Sequence, residues 1–130
     1  MDYSKLVEMA YEAMSFSYSP YSKFQVGAAV LTEEGKVFTG CNIECASYGG
    51  TNCAERTAIF KAVSEGYKNF KAIAIVSSSR TKTQPCGICR QVIEEFAPDI
   101  EVILADEMDY TVYKFREFLP LPFSPHEHLL

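Results

Sequence analysis

The stretch Asn52-Cys53-Ala54-Glu55-Arg56 places a potential metal ligand, the Cys53 thiol, two residues before a potential proton carrier, the Glu55 carboxylate. Further along the chain, Pro85-Cys86-Gly87-Ile88-Cys89 adds two more thiols at close spacing. Three cysteines can hold a zinc ion and leave its fourth coordination position open, which distinguishes a catalytic zinc site from a structural one. Glu55 would then stand beside the water molecule at that open position. Together the two stretches predict a hydrolytic zinc enzyme.

The spacing of Cys53 and Glu55 also predicts where an α-helix begins. Two residues correspond to about 200° of rotation along a helix, so in mid-helix these side chains would point to opposite sides. Both can face one site if Cys53 lies at the helix boundary. Cys86 and Cys89 are three residues apart and share a face in the first turn of a helix. We therefore predict that two helices begin at the metal site.

The negative charge of such a site needs compensation. Three thiolates and one Zn²⁺ sum to a charge of about −1, which makes the metal a poorer Lewis acid. Each helix N-terminus offers about +0.5 of a charge and free N–H groups to the sulfurs. Arg56 and Arg90, which directly follow Glu55 and Cys89, are candidates to offset the remaining charge.

The five cysteines allow two other interpretations. A Cys-x-x-Cys pair can be a redox motif, but the residues that flank this pair do not form a thioredoxin-like unit. Cys41 and Cys45 could instead join the pair in a four-thiolate structural zinc site. That alternative leaves Cys53 and Glu55 without a role.

Composition and charge narrow the class of protein. Hydrophobic residues make up 48% of the 130 residues and charged residues 22%, which is typical of a soluble globular domain. The net charge of −5 argues against binding a nucleic-acid polymer, because phosphate binding usually needs a basic face. No apolar run approaches the ~20 residues that cross a bilayer, so we expect no membrane association. The first residues lack the pattern of a secretory signal, and reduced cysteines suit the cytoplasm, where we expect this protein.

The hydrophobic pattern predicts alternating helices and strands. Apolar side chains at helical spacing predict a first helix over about 3–16, which Asp2 can cap. Runs of small or β-branched residues predict five strands, at 25–31, 37–40, 72–76, 101–105 and 110–113. Further helices are predicted at about 53–65, ended by Gly66, at about 86–96, and at 116–119. This order predicts one mixed sheet with helices packed on it.

We expect a single domain over residues 1–130. Residues 124–130 form a C-terminal tail in this interpretation. His126 and His128 lie in that tail, where solvated side chains are more typical than metal ligands.

Several motifs carry a resemblance to a known family. The segments 21–29, with the sequence YSKFQVGAA, 40–44, with GCNIE, and 53–58, with CAERTA, resemble the small bacterial cytidine deaminases that form homotetramers. The likeness extends over about residues 3–123. It implies a three-layer α/β/α fold, in which a mixed five-stranded sheet carries helices on both faces.

The resemblance implies a metal site and a reaction. Cys53, Cys86 and Cys89 would bind one Zn²⁺ per chain, and Arg56 would hydrogen-bond the thiolates. Glu55 would be the proton shuttle in the hydrolysis of cytidine or deoxycytidine to the uridine and ammonia, a reaction of pyrimidine salvage. It would accept a proton from the attacking water, pass it to ring N3 and later protonate the departing amine.

The resemblance also implies the nucleoside contacts. The substrate-binding residues would be Phe24, Asn42, Glu44, Ala54, Tyr48 and Phe123. Asn42 and Glu44 would hydrogen-bond the ribose hydroxyls, and Phe24 would pack on the nucleoside. Tyr48 and Phe123 would reach into the active site of a neighbouring subunit of a homotetramer, with Phe123 stacked on the base.

Two departures from the family pattern leave alternatives open. Cys45 stands where many relatives carry Asn, and the segment Gly49-Gly50-Thr51 differs as well. A deaminase of another aminopyrimidine, such as an antibiotic nucleoside or a nucleotide, is the nearest alternative. A polynucleotide-editing deaminase is disfavoured by the charge, and a zinc-stabilised binding module without turnover is the alternative from a different class.

Overall fold

The sheet at the centre of the molecule has five strands in the order β2-β1-β3-β4-β5. A computed structural model describes residues 2–129, so Met1 and Leu130 of the predicted domain lie outside the described part. The strands are β1 (Val26–Thr32), β2 (Val37–Cys41), β3 (Phe70–Ser77), β4 (Glu101–Ala105) and β5 (Tyr110–Lys114). The pairing of β3 with β4 is parallel and the other pairings are antiparallel. The mixed five-stranded sheet that the sequence predicts is therefore confirmed.

Four α-helices accompany the strands in the described residues. They are α1 (Ser4–Met14), α2 (Ala54–Ser64), α3 (Gly87–Phe96) and α4 (Pro125–His128). Two short 3₁₀ helices cover Tyr48–Gly50 and Phe115–Phe118, and the second one takes the place of the helix expected at 116–119. The helix α4 lies in the segment that we expected to be a tail, and its first residue is a proline, which suits that position.

Local signals explain several helix boundaries. The Asp2 carboxylate accepts a hydrogen bond from the Ser4 N–H (2.9 Å), although Tyr3 is the residue at the boundary of α1. Gly66 follows α2 with a φ of 96°, a conformation that glycine adopts without the strain of a side chain. Helix α1 ends at Met14 rather than near Phe16, whose side chain is 80% exposed and packs on no core.

Side chains alternate between the two faces of the sheet, and each face is covered by helices. The face that packs against α2 and α3 carries Ala28, Val30, Ile73, Ile75, Val102 and Leu104. The face that packs against α1 carries Ala29, Ala72, Ala74, Val76, Ile103 and Ala105. Because strands buried on both faces need apolar residues at every position, these strands read as continuous apolar runs. The predicted three-layer α/β/α architecture is confirmed.

A glycine allows α2 to approach the sheet closely. A Cβ atom built on Gly40 in β2 would lie 2.6 Å from the Ala54 carbonyl oxygen and 2.6 Å from the Ala58 nitrogen. No side chain fits at that distance, so the first turns of α2 rest directly on the strand. This contact sets the position of the helix end that carries Cys53 and Glu55.

A candidate metal centre and its cavity

Three thiols meet where two helices begin. The Cys53 Sγ lies 3.7 Å from the Cys86 Sγ, and the sulfurs of Cys53, Cys86 and Cys89 all lie within 4.8 Å of one another. Zn–S bonds of ~2.3 Å at tetrahedral angles separate two sulfurs by ~3.8 Å. The distances and the all-thiol donor set therefore fit zinc.

The backbone explains how these residues converge. Cys53 is the residue that precedes the first turn of α2, with extended backbone angles, and Cys86 takes the same place before α3. Cys89 lies in the first turn of α3 and is fully buried. Both helices thus begin at the sulfurs, as the spacing of the ligands predicts, and their N-termini bring the positive ends of two helix dipoles to the site.

The two arginines have different partners. The Arg56 Nη2–H donates to the Cys53 Sγ (3.2 Å), and its Nε is buried without a hydrogen-bond partner among the described residues. Arg90 donates instead to the carbonyl oxygens of Pro85 (2.8 Å) and Phe118 (3.1 Å). Among residues 2–129, Arg56 is therefore the arginine whose guanidinium donates a hydrogen bond to a ligand thiol.

Neighbouring groups favour the thiolate form of Cys53 over its protonated form. Hydrogen bonds from the Cys89 thiol and from Arg56 lower the pKa of the Cys53 thiol to about 5. The same thiol–thiol contact raises the pKa of Cys89, since one sulfur must keep the proton that the other accepts. Because zinc binds thiolates, the site is electrostatically prepared for a cation.

Glu55 is the buried carboxyl group of the site. It is 4% exposed and lies in the first turn of α2, one residue after the buried Ala54. Burial raises the pKa of this carboxyl to about 7, because an apolar environment disfavours the charged form. A carboxyl group with this pKa can both accept and donate a proton near neutral pH.

A cavity of about 310 Å³ opens beside Glu55. The residues expected to bind a substrate or the metal that line it are Phe24, Asn42, Glu44, Cys53, Ala54, Glu55 and Cys86. Its other lining residues are Ser22, Val26, Thr51, Asn52, Thr83 and Gln84. The structure therefore gathers residues from four separate parts of the chain around one space.

Asn42 and Glu44 hold the loop that carries Phe24. The Asn42 Oδ1 accepts hydrogen bonds from the Val26 N–H (2.9 Å) and from Ser17, and its Nδ2 donates to the Phe24 carbonyl oxygen (2.8 Å). This leaves one N–H of the Asn42 amide without a partner among the described residues. The amide thus has a structural task that its sequence context does not reveal.

The Glu44 carboxylate is bound in a similar way. One of its oxygens accepts the backbone N–H groups of Tyr21 (3.0 Å) and Ser22 (3.1 Å), and the other accepts the Ser22 hydroxyl. These hydrogen bonds, led by that from the Ser22 side chain, lower the pKa of Glu44. The second oxygen keeps acceptor capacity, and Glu44 lines the cavity.

Four expected or alternative site residues lie away from this cavity. Tyr48 is 77% exposed and lines a neighbouring depression of about 360 Å³ together with Tyr21 and Cys45. Phe123 is 58% exposed, and its ring stacks on that of His128 at 5.1 Å. Neither Cys41 nor Cys45 belongs to the three-thiol group, so the four-thiolate site is not formed in the described part of the chain.

Sequence reasoning missed several residues that line the cavity. Ser22 and Asn52 stand next to motif residues, and Thr83 and Gln84 directly precede Pro85, so their position in the sequence was a usable signal. Nothing in the spacing of Thr51 indicates that it turns toward this space.

Comparisons with known proteins agree with this geometry. A family model described as the cytidine and deoxycytidylate deaminase zinc-binding region matches residues 1–105. A cytidine deaminase of Halalkalibacterium halodurans is 47% identical over 129 residues, which cover 98% of each chain. The crystal structure of a cytidine deaminase from Burkholderia pseudomallei has a TM-score of 0.89 at 47% identity and covers 95% of this chain and 100% of that one. A blasticidin-S deaminase of Bacillus cereus is 35% identical over 130 residues, with 92% of this chain and 91% of the relative covered.

The α/β/α fold and the three-thiol site define the class as zinc-binding deaminases. The chain belongs to the cytidine and deoxycytidylate deaminase family. The predictions of an enzyme and of a zinc cofactor are thereby confirmed. None of the helices in residues 2–129 has the length and apolar character that a membrane span requires.

Proposed function

We propose that this enzyme hydrolyses cytidine and deoxycytidine to uridine and deoxyuridine with release of ammonia. The observation that carries the proposal is the position of the buried Glu55 carboxyl, at a cavity that also exposes the thiols of Cys53 and Cys86. The likeness to cytidine deaminases over nearly the whole chain supports the same reaction.

Cys53, Cys86 and Cys89 are the residues that hold zinc in this proposal. Zinc supplies the Lewis acidity that makes a water molecule nucleophilic near neutral pH. Glu55 takes one proton of the attacking water and transfers it to ring N3 of the pyrimidine. It then takes the remaining proton from the hydroxyl added at C4 and donates it to the departing amine. Its raised pKa supports this role, because the group must change its protonation state several times in one cycle.

The hydrogen-bond capacity left on Asn42 and Glu44 supports a sugar hydroxyl as their ligand. Asn42 retains one donor, and Glu44 retains acceptor capacity on the oxygen that binds Ser22. A hydroxyl group both accepts and donates, so it complements this pair. A phosphate group would bring negative charge toward the Glu44 carboxylate, which disfavours nucleotides. Phe24 also lines this cavity, and in this proposal its ring packs against the nucleoside.

Assembly into a homotetramer with shared active sites belongs to the same proposal. Tyr48 and Phe123 lie outside the cavity of their own chain and expose most of their ring surface. Aromatic residues are enriched at the cores of protein–protein interfaces, which suits both rings to a contact between subunits. In the assembly, Phe123 stacks on the base in a neighbour's cavity and Tyr48 contributes to the wall. The cytoplasmic location and the single domain over residues 1–130 remain predictions.

A second candidate substrate is a cytosine-based nucleoside antibiotic. The 35% identity with a blasticidin-S deaminase favours it to a lesser degree. The depression lined by Tyr21, Cys45 and Tyr48 shares Ser22, Glu44 and Thr51 with the cavity, so a larger sugar substituent could extend into it.

The test is an ultraviolet assay of cytidine loss, run in parallel with deoxycytidine, cytidine monophosphate, blasticidin S and single-stranded DNA. We expect turnover of both nucleosides and at least tenfold lower kcat/KM on the monophosphate. Preferred turnover of blasticidin S would favour the second candidate. If zinc-loaded protein turned over none of these substrates, the result would favour a zinc-stabilised binding module without catalytic activity.

A further inference from the structure

The Arg90 side chain hydrogen-bonds two segments that are far apart in the sequence, one directly before Cys86 and the other at Phe118. Its side chain donates from Nε to the Pro85 carbonyl oxygen (2.8 Å) and from Nη1 to the Phe118 carbonyl oxygen (3.1 Å). Its backbone N–H donates to the Cys86 carbonyl oxygen (2.9 Å). The guanidinium carbon also lies 5.7 Å from the centre of the Phe118 ring. Arg90 therefore contacts the carbonyl groups of both peptide bonds that flank the metal-ligand residue Cys86, as well as the distant Phe118 carbonyl.

The carbonyl of Pro85 belongs to the peptide bond that leads into Cys86. A hydrogen bond from a charged donor is about twice as strong as a neutral one, so it restricts the rotation of that peptide. The direction of the Cys86 side chain depends on this rotation. Fixing the Pro85 carbonyl therefore fixes the approach of one sulfur to the metal.

The carbonyl of Phe118 belongs to the C-terminal segment, which we define as residues 115–123. This segment begins at Phe115, which is fully buried, and ends at Phe123. Helix α3 holds it at two further places. Gln91 donates to the Phe123 carbonyl oxygen (2.7 Å), and Arg116 pairs with Glu94 (2.9 Å), which is 2% exposed.

Those two contacts do not reach the peptide before Cys86. The residues Pro85 and Cys86 form what we call the ligand loop. Among the hydrogen bonds of the described residues, those of Arg90 alone connect this loop with the C-terminal segment. An arginine suits the task, because its planar fork presents several N–H groups in fixed directions. A lysine at this place would offer a point charge that reaches one carbonyl at a time.

We propose that Arg90 is a positioning residue that couples zinc retention at Cys86 to the docking of the C-terminal segment. The coupling is reciprocal: a fixed segment holds Arg90 and so the ligand loop, and a metal-bound Cys86 holds Arg90 and so the segment. The link to catalysis rests on the proposed function, in which Phe123 of this segment completes a neighbour's cavity.

The first experiment measures zinc release from the holoenzyme to a coloured chelator. Removing a partner that orients a ligand typically costs about 10–100-fold in metal affinity. We expect Arg90→Gln and Arg90→Lys to release zinc about 10–100 times faster than wild type. Gln91→Ala loosens the segment but leaves both carbonyl contacts of Arg90 in place, so through the coupling it should release zinc faster than wild type, though by less than the Arg90 variants. Ile93→Val is the matched control: it weakens the core packing of the same helix but keeps the segment contact of Gln91 and both carbonyl contacts of Arg90, so zinc release should stay unchanged.

The second experiment measures amide hydrogen exchange over residues 115–123 in wild-type protein with and without zinc. We expect zinc to slow exchange in this segment, and we expect the Arg90 variants to remove that effect. The wild-type comparison stands even if an Arg90 variant does not fold.

Two results would overturn the proposal. If Arg90→Lys released zinc at the wild-type rate, a positive charge alone would be sufficient and the two simultaneous carbonyl contacts would not be needed. If residues 115–123 exchanged equally fast with and without zinc, the segment would not be coupled to the metal site. Neither measurement uses turnover. If cytidine is not a substrate but zinc release and exchange change as expected, the proposed function fails and the positioning role stands.

Discussion

Gly40→Ala tests whether the close contact between β2 and α2 positions the catalytic residues. The added Cβ would lie 2.6 Å from the Ala54 carbonyl oxygen and 2.9 Å from the Thr57 Cβ, whereas ordinary contacts begin at 3.4 Å. The first turn of α2 would have to move by about 0.8 Å to relieve the closest overlap. That turn carries Ala54 between Cys53 and Glu55, so both site residues move with it.

The expected losses of stability and of turnover follow from the steric overlap of the added Cβ with α2. Forcing one extra methyl group into a packed interior typically costs about 1–3 kcal/mol, which lowers the Tm of a domain of this size by about 3–12 °C. A misplacement of about 1 Å at an active site can cost about 10²-fold in rate. We expect kcat per bound zinc to fall about 10–100-fold in Gly40→Ala.

The assay combines a thermal scan, metal analysis and cytidine turnover normalised to zinc. Ile103→Val is the matched control, because Ile103 faces α1 across the sheet and its truncation costs about 0.5–1.5 kcal/mol. The control should lose stability and keep its turnover per zinc. Wild-type turnover per zinc in Gly40→Ala, or an equal loss in the control, would refute the positioning argument.

Three further changes test the site. Cys53→Ala should lose zinc and activity, whereas Cys41→Ala should keep about one zinc per chain by metal analysis; loss of zinc in the latter would revive the four-thiolate interpretation. Asn42→Ala should retain zinc but lower kcat/KM for cytidine about 10–100-fold, because each lost bond to a buried partner costs about 1–3 kcal/mol; unchanged kcat/KM would contradict the sugar assignment. Phe123→Ala and Glu55→Ala chains should each be poor alone and regain activity when refolded together, since some cavities then combine intact residues from both chains. No gain after proven subunit exchange would contradict shared active sites.

Much of the fold could be predicted from local sequence patterns. The apolar runs that contain Val30 and Ile75 identify strands covered on both faces, and the spacing of Cys53 and Glu55 places a helix boundary between them. Both inferences rest on geometry within a few residues. Helix α4 was missed, because a four-residue helix carries too little periodicity to distinguish it from a polar tail.

The candidate site was predicted less completely, because its hydrogen bonds join distant segments. Sequence proximity to Cys89 suggested that Arg90 compensates thiolate charge, but its side chain turns to a carbonyl 28 residues further on. Asn42 was expected to serve a substrate, yet most of its bonds hold the loop at Phe24 and Val26. Such partners depend on the three-dimensional packing and leave no mark in residue spacing.

Cytidine turnover by Glu55→Gln, measured against wild type at equal zinc content, tests whether Glu55 carries the protons of the reaction. The amide keeps the size of the buried side chain but cannot carry a proton between water, ring N3 and the departing amine. General acid–base groups contribute about 10²–10⁴-fold in rate, and Glu55 serves several transfers, so we expect a loss at the upper end of this range or beyond. A zinc-loaded Glu55→Gln enzyme that retained more than about a tenth of wild-type turnover would show that Glu55 is not the proton shuttle.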